Sequence, residues 1–73
     1  MSAQHPALTP MDLGRYYMRR LAMRVETEHF QELCRTVAYA IDPAQTAYRF
    51  ALDYGITNLP TPEDIWAAGV LPS

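Results

Sequence analysis

Three times in this sequence a helix-capping residue stands directly before a proline, with an acid or amide three positions after the cap. The segments are Thr9-Pro10-Met11-Asp12, Asp42-Pro43-Ala44-Gln45 and Thr61-Pro62-Glu63-Asp64. The cap oxygen accepts an orphan N–H of the first turn. Proline at the first helical position gives up a donor that would go unpaired anyway. A chain carrying three such starts is committed to helices, and the starts divide it into parts.

The stops complete the division. Gly55 suits the left-handed position after a helix, and Ile56 is the apolar residue that folds back on the last turn. Gly69 ends the last helix in the same way. The third helix therefore runs over about 43–54 and the fourth over about 62–68. On a wheel, Phe50, Tyr54, Ala47, Ala51, Ala44, Tyr48 and Leu52 fill one broad arc of the third helix. Three alanines in that arc predict a close approach to another helix.

Between Pro10 and Ile41 only Gly14 interrupts the pattern. The apolar arc of the first part holds Met11, Leu13, Tyr17, Met18, Leu21, Ala22 and Val25; that of the second holds Phe30, Leu33, Cys34, Val37 and Ile41. At about 100° per residue the two arcs point in nearly opposite directions. Either the helix breaks near Glu26-Thr27-Glu28, with Thr27 as a cap, or one continuous helix buries opposite faces at its two ends. The break is the reading adopted, giving helices over about 10–26 and 28–41. The expected fold is all-α, a small bundle of three to four helices in one domain over 1–73, with residues 1–8 as a loose N-terminal segment.

Size makes that bundle marginal. A 73-residue chain buries only about 60% of its unfolded surface, and a core of this size supplies roughly 3–5 kcal/mol. The lone Cys34 excludes an internal disulfide, so helix packing, a second copy or a partner must add the rest. Apolar residues at 49% and charged residues at 19% are a folding rather than a disordered composition. No apolar run is long enough to span a membrane, and the first residues lack the apolar stretch of a signal peptide. With a single thiol, these features point to a cytoplasmic protein.

Net charge is −2 but unevenly placed. Residues 1–25 carry Arg15, Arg19, Arg20 and Arg24 against Asp12, a balance of +3. Residues 26–73 carry Arg35 and Arg49 against seven acids, a balance of −5. Arg15/Arg19 and Arg20/Arg24 are like-charged pairs four apart, each costing about 0.2–0.5 kcal/mol in an isolated helix. A solvated face tolerates this, and so does a face that meets carboxylates or phosphates. Tyr16 lies among these arginines, and arginine with tyrosine is the composition of binding hot spots.

Catalytic constellations are lacking. Glu26-Thr27-Glu28-His29 holds a single Glu-x-x-His step, whereas a di-iron bundle needs two such steps and two further glutamates. A solvated face explains it better. Cys34 lies within an apolar stripe, as a small hydrophobe does. Ser2 and Ser73 are the only serines, and no glycine-rich phosphate loop exists. Phe50–Ile56 resembles the first half of a helix-turn-helix. The following Leu59-Pro60-Thr61-Pro62-Glu63-Asp64 puts prolines and acids where a recognition helix would begin, so Gly55 is read as a helix stop and the chain matches no family.

The function expected is therefore a non-enzymatic protein–protein interaction module: an adaptor, regulator or small inhibitor, acting as a homodimer or on a larger protein, with no metal or cofactor. The expected partner-binding residues are Arg15, Tyr16, Arg19, Arg20, Met23, Arg24 and Trp66. The alternative is a small nucleic-acid-binding regulator that sets the Arg15–Arg24 face on phosphates.

Overall fold

The computed structural model describes residues 7–72 and contains four helices: α1 (Pro10–Leu21), α2 (Thr27–Ala38), α3 (Pro43–Asp53) and α4 (Pro62–Ala68). The all-α expectation holds, and each proline start begins a helix where it was placed. Thr9 and Thr61 form complete capping boxes. Thr9 Oγ1 accepts from Asp12 N at 3.2 Å while Asp12 accepts from Thr9 N at 2.8 Å, and Thr61 and Asp64 repeat the exchange at 3.1 and 3.3 Å. Asp42 caps α3 through Gln45 N at 3.2 Å. The Gln45 side chain does not return to its cap. It donates instead to Glu63 Oε2 at 3.0 Å, tying α3 to the first turn of α4.

The long stretch between Pro10 and Ile41 is two helices, so both apolar arcs face one core. Their bounds are tighter than the sequence implied. The first helix stops at Leu21 rather than near residue 26, and residues 22–26 form the connection. The cap of α2 is Glu26, not Thr27, and it makes no side-chain capping bond. At the far end α2 stops at Ala38, short of Ile41. The cap at Asp42 stands before a proline and needs non-helical backbone, and residues 39–41 form the connection that leads into it. Ile41, placed in the apolar arc by periodicity, is consequently exposed, and Ala22 and Leu52 are exposed as well.

Close helix packing positions everything else. Ala44, Ala47 and Ala51 are buried on α3, as the alanine arc implied, and α1 packs along them. Gly14 abuts the start of α3 at Pro43, and Tyr17, one turn on, meets Tyr48, so α1 and α3 run in the same direction. The second helix returns antiparallel: its last turn brings Val37 to Gly14, and its first turn brings His29 to within 6.2 Å of Tyr54, ring to ring. The absence of a side chain at Gly14 eases this approach. A Cβ built there would lie 3.1 Å from Val37 Cγ1 and 3.4 Å from the Pro43 carbonyl oxygen.

Tyr17 is the hub of the core. It is fully buried, with its ring centroid 5.1 Å from those of both Tyr16 and Tyr48. Its hydroxyl donates to the Pro60 carbonyl at 2.6 Å, which fixes the α3–α4 connection to α1. Burial, followed by the neighbouring Tyr48 and Tyr16 and the acids Glu63 and Asp64, pushes its phenol above the ordinary tyrosine range. The C-terminal ends behave as read. Gly55 is left-handed at φ 83°, and the Ile56 N–H returns to the Ala51 carbonyl at 3.0 Å with Ile56 buried. Of the expected loose segment 1–8, residues 1–6 lie outside the described residues, and Leu8 packs against the core.

Candidate functional site

The arginine segment forms the outer side of α1. Arg15, Arg19 and Arg20 are exposed on the helix, and Arg24 is exposed in the turn that follows. Arg15 pairs with Asp12 one turn earlier, Nη1 to Oδ1 at 3.6 Å. The Thr9 amide and hydroxyl, and then Arg15, hold the Asp12 carboxyl below its ordinary range. Arg20 lies over the Tyr16 ring, its Cζ 5.2 Å from the centroid, in cation–π contact. Arg19, Arg20 and Arg24 make no ion pair among the described residues. Three exposed guanidiniums thus have no ion-pair partner among the described residues.

These residues border a groove. Tyr16, Arg19 and Arg20 line a hollow of about 390 Å³ closed on its other side by Pro72. It continues into a smaller one of about 200 Å³ between Asp12, Arg15, Tyr16 and Arg19 on α1 and Leu71 and Pro72 of the C-terminal segment. Gly69, left-handed at φ 79°, ends α4 and sets the direction of that segment. The walls are therefore cationic on one side and apolar on the other. Nothing in the sequence placed Leu71 and Pro72 beside α1, because this contact depends on the tertiary path of the chain.

The seven expected contact residues do not form one surface. Arg15, Arg19 and Arg20 share the groove. Tyr16 is only 8% exposed, so it is a core residue offering one edge rather than a free anchor. It cannot project, because its ring packs edge-on against Tyr17. Met23 is 92% exposed in the α1–α2 turn and Trp66 is 41% exposed on α4. Neither they nor Arg24 line the groove.

A second surface was missed by sequence reading. Glu32, Arg35, Thr36 and Tyr39 of the α2 side join Ala40 and Thr46 around a shallow groove of about 680 Å³. Tyr39, and Ile41 two residues on, stand almost wholly in solvent. The signal lay in Asp42-Pro43, where a cap before proline cannot be helical and the preceding helix has to end.

Other chemistry-bearing groups stay apart. His29 Nδ1 faces Glu32 Oε1 at 3.6 Å on the same helix. No group of three or more His, Cys, Asp or Glu side chains able to hold a metal occurs among the described residues. Cys34 is half-buried, and that burial raises its thiol pKa. No described helix is long and apolar enough to cross a membrane. Comparison with models of protein families, with curated proteins and with solved structures finds no match.

Proposed function

We propose that this chain is a non-enzymatic protein–protein interaction module, an adaptor, regulator or small inhibitor, working as a homodimer or docked on a larger protein. One observation carries the reading: Arg19 and Arg20 make no ion pair among the described residues, and both border a groove closed on its other side by Pro72. Guanidiniums beside apolar surface suit a carboxylate-bearing protein partner with aliphatic or aromatic side chains at its contact. Met23 and Trp66, exposed away from the groove, are further apolar side chains that a partner could cover. A single thiol fits work in a reducing cytoplasm.

The same arginines support a second reading, a regulator that sets this face on nucleic-acid phosphates. The overall charge of −2 weighs against it. The test is a photo-crosslinking residue placed at Arg19, with one at Arg49 as the control, in cells that carry the protein. A discrete adduct at position 19, digested by protease and resistant to nuclease, supports the first reading. A nuclease-sensitive adduct replaces it with the second, and no adduct above the position-49 control refutes both.

A further inference from the structure

We propose that the groove between α1 and the C-terminal segment receives an extended stretch of a partner protein in which acidic and apolar side chains alternate. The inference deepens the interaction-module reading and rests on it. Tyr16, Arg19 and Arg20 line the larger hollow with Pro72, and Arg15, Tyr16 and Arg19 share the smaller one with Leu71 and Pro72. Arg19 and Arg20 make no ion pair among the described residues. The Tyr16 ring, 5.2 Å from the Arg20 Cζ, holds that guanidinium beside the groove without cancelling its charge. Asp12, the acid among the lining residues, is already engaged by the Thr9 cap and by Arg15 at 3.6 Å. The free charge of the groove is therefore positive, and its complement is a carboxylate-bearing segment. Leu71, at 38% exposure, keeps apolar surface for the residues between the acids.

Shape and spacing select the extended form. A hollow of about 200 Å³ is roughly 6 Å across, narrower than the ~10–12 Å of a helix with its side chains. An extended backbone is slimmer, since strands pack about 4.8 Å apart. Its successive side chains point to opposite sides, one set to α1 and the other to Leu71 and Pro72. Side chains of one set recur about every 6.6 Å. Arg15 and Arg19 are four residues apart on α1, about 6 Å along the axis, so alternate carboxylates fall beside successive guanidiniums. A run of consecutive acids would turn half of its carboxylates onto Leu71 and Pro72. A wholly apolar segment would desolvate Arg19 and Arg20 without a counter-charge. Because Arg15 already shares its charge with Asp12, Arg19 and Arg20 carry most of the recognition.

The experiment is fluorescence anisotropy with the full chain and a dye-labelled six-residue peptide alternating glutamate and leucine. A block peptide of the same composition, three glutamates then three leucines, is the comparison, and a labelled single-stranded oligonucleotide is the third probe. The alternating peptide is expected to bind saturably and at least about tenfold more tightly than the block peptide. Arg19→Ala and Arg20→Ala should each weaken it about tenfold, Arg15→Ala by less than about threefold, and Leu71→Asp by about tenfold. The three arginines are exposed, and circular dichroism checks that every variant stays helical. No saturable binding of the alternating peptide up to about 1 mM overturns the proposal. So does equal binding of the block peptide, or a loss in Arg15→Ala as large as in Arg19→Ala. An oligonucleotide that binds more tightly than the peptide and loses affinity in Arg19→Ala replaces the protein segment with a nucleic-acid strand. A protease-sensitive crosslink at position 19 alongside a failed peptide test would overturn this segment and keep the interaction module. The broader reading itself falls only with that crosslink.

Discussion

Replacing Tyr17 tests whether one side chain holds the α3–α4 connection to α1. Tyr17→Phe keeps a ring that is fully buried and removes only the hydroxyl bonded to Pro60 at 2.6 Å. A neutral hydrogen bond contributes about 0.5–1.5 kcal/mol, and an unmet buried carbonyl costs more. Pro60 is half-buried, so water can reach its carbonyl, and the expected loss is about 1 kcal/mol. In a domain of this size that lowers Tm by roughly 4–8 °C and the urea midpoint by about 1 M. Tyr17→Ala also removes the ring and its contacts with Tyr16 and Tyr48, at about 3–5 kcal/mol. That matches the whole stability of roughly 3–5 kcal/mol available to such a core, so this variant should be unfolded in buffer.

Alkali gives the second readout. The folded state holds the Tyr17 proton more tightly than the unfolded chain does, because its pKa is raised chiefly by burial. The stability from that preference is complete below the unfolded value near pH 10 and is lost as pH rises from there towards the folded value. One proton contributes a slope of at most about 1.4 kcal/mol per pH unit. Urea titrations followed by circular dichroism at neutral pH and above pH 10 should show Tyr17→Phe weaker at neutrality but less steeply destabilised by alkali. A Phe variant within about 0.3 kcal/mol of wild type at neutrality, far below the range for such a bond, refutes the reasoning. So does an unchanged alkaline slope.

Three further outcomes follow from the same packing. Gly14→Val sets methyls against Val37 and Pro43, both buried, and should cost at least about 2 kcal/mol despite valine's better helix propensity, read from urea midpoints. Thr9→Ala and Thr61→Ala each break a capping box and should each cost about 1 kcal/mol; substitution at Thr61 should speed hydrogen exchange chiefly in α4. Cys34, its pKa raised by burial, should react with a disulfide reagent more slowly in the native protein than in urea at neutral pH, and the native rate should climb as pH increases. Equal native and denatured rates would contradict that placement.

Local rules reached the helices because local chemistry makes them. Thr9, Asp42 and Thr61 each bond within three residues of themselves, and Gly55 acts on the turn before it. The α2 C-terminus escaped because periodicity was extended through Ile41 without charging the Asp42 cap for the chain it needs. The contact residues split along the same line. Exposure of Arg15, Arg19 and Arg20 follows from the amphipathic wheel, whereas burial of Tyr16 depends on Tyr17 and the core behind it. The groove is less legible still, since Leu71 and Pro72 reach α1 only through the folded path.

That path links stability to the proposed contact face. The Thr61 cap starts α4, the Tyr17–Pro60 bond holds the segment before it against α1, and Gln45–Glu63 holds its first turn to α3. Gly69 then delivers Leu71 and Pro72 to the arginine side. Loosening the Tyr17 bond should therefore disturb the groove without touching an arginine. Tyr17→Phe should lower the crosslinking yield at position 19 while leaving amide-exchange protection in α2 unchanged, because α2 takes no part in that chain of contacts. Equal loss of protection in α2 would mean that the substitution unsettles the fold as one unit rather than the C-terminal wall alone.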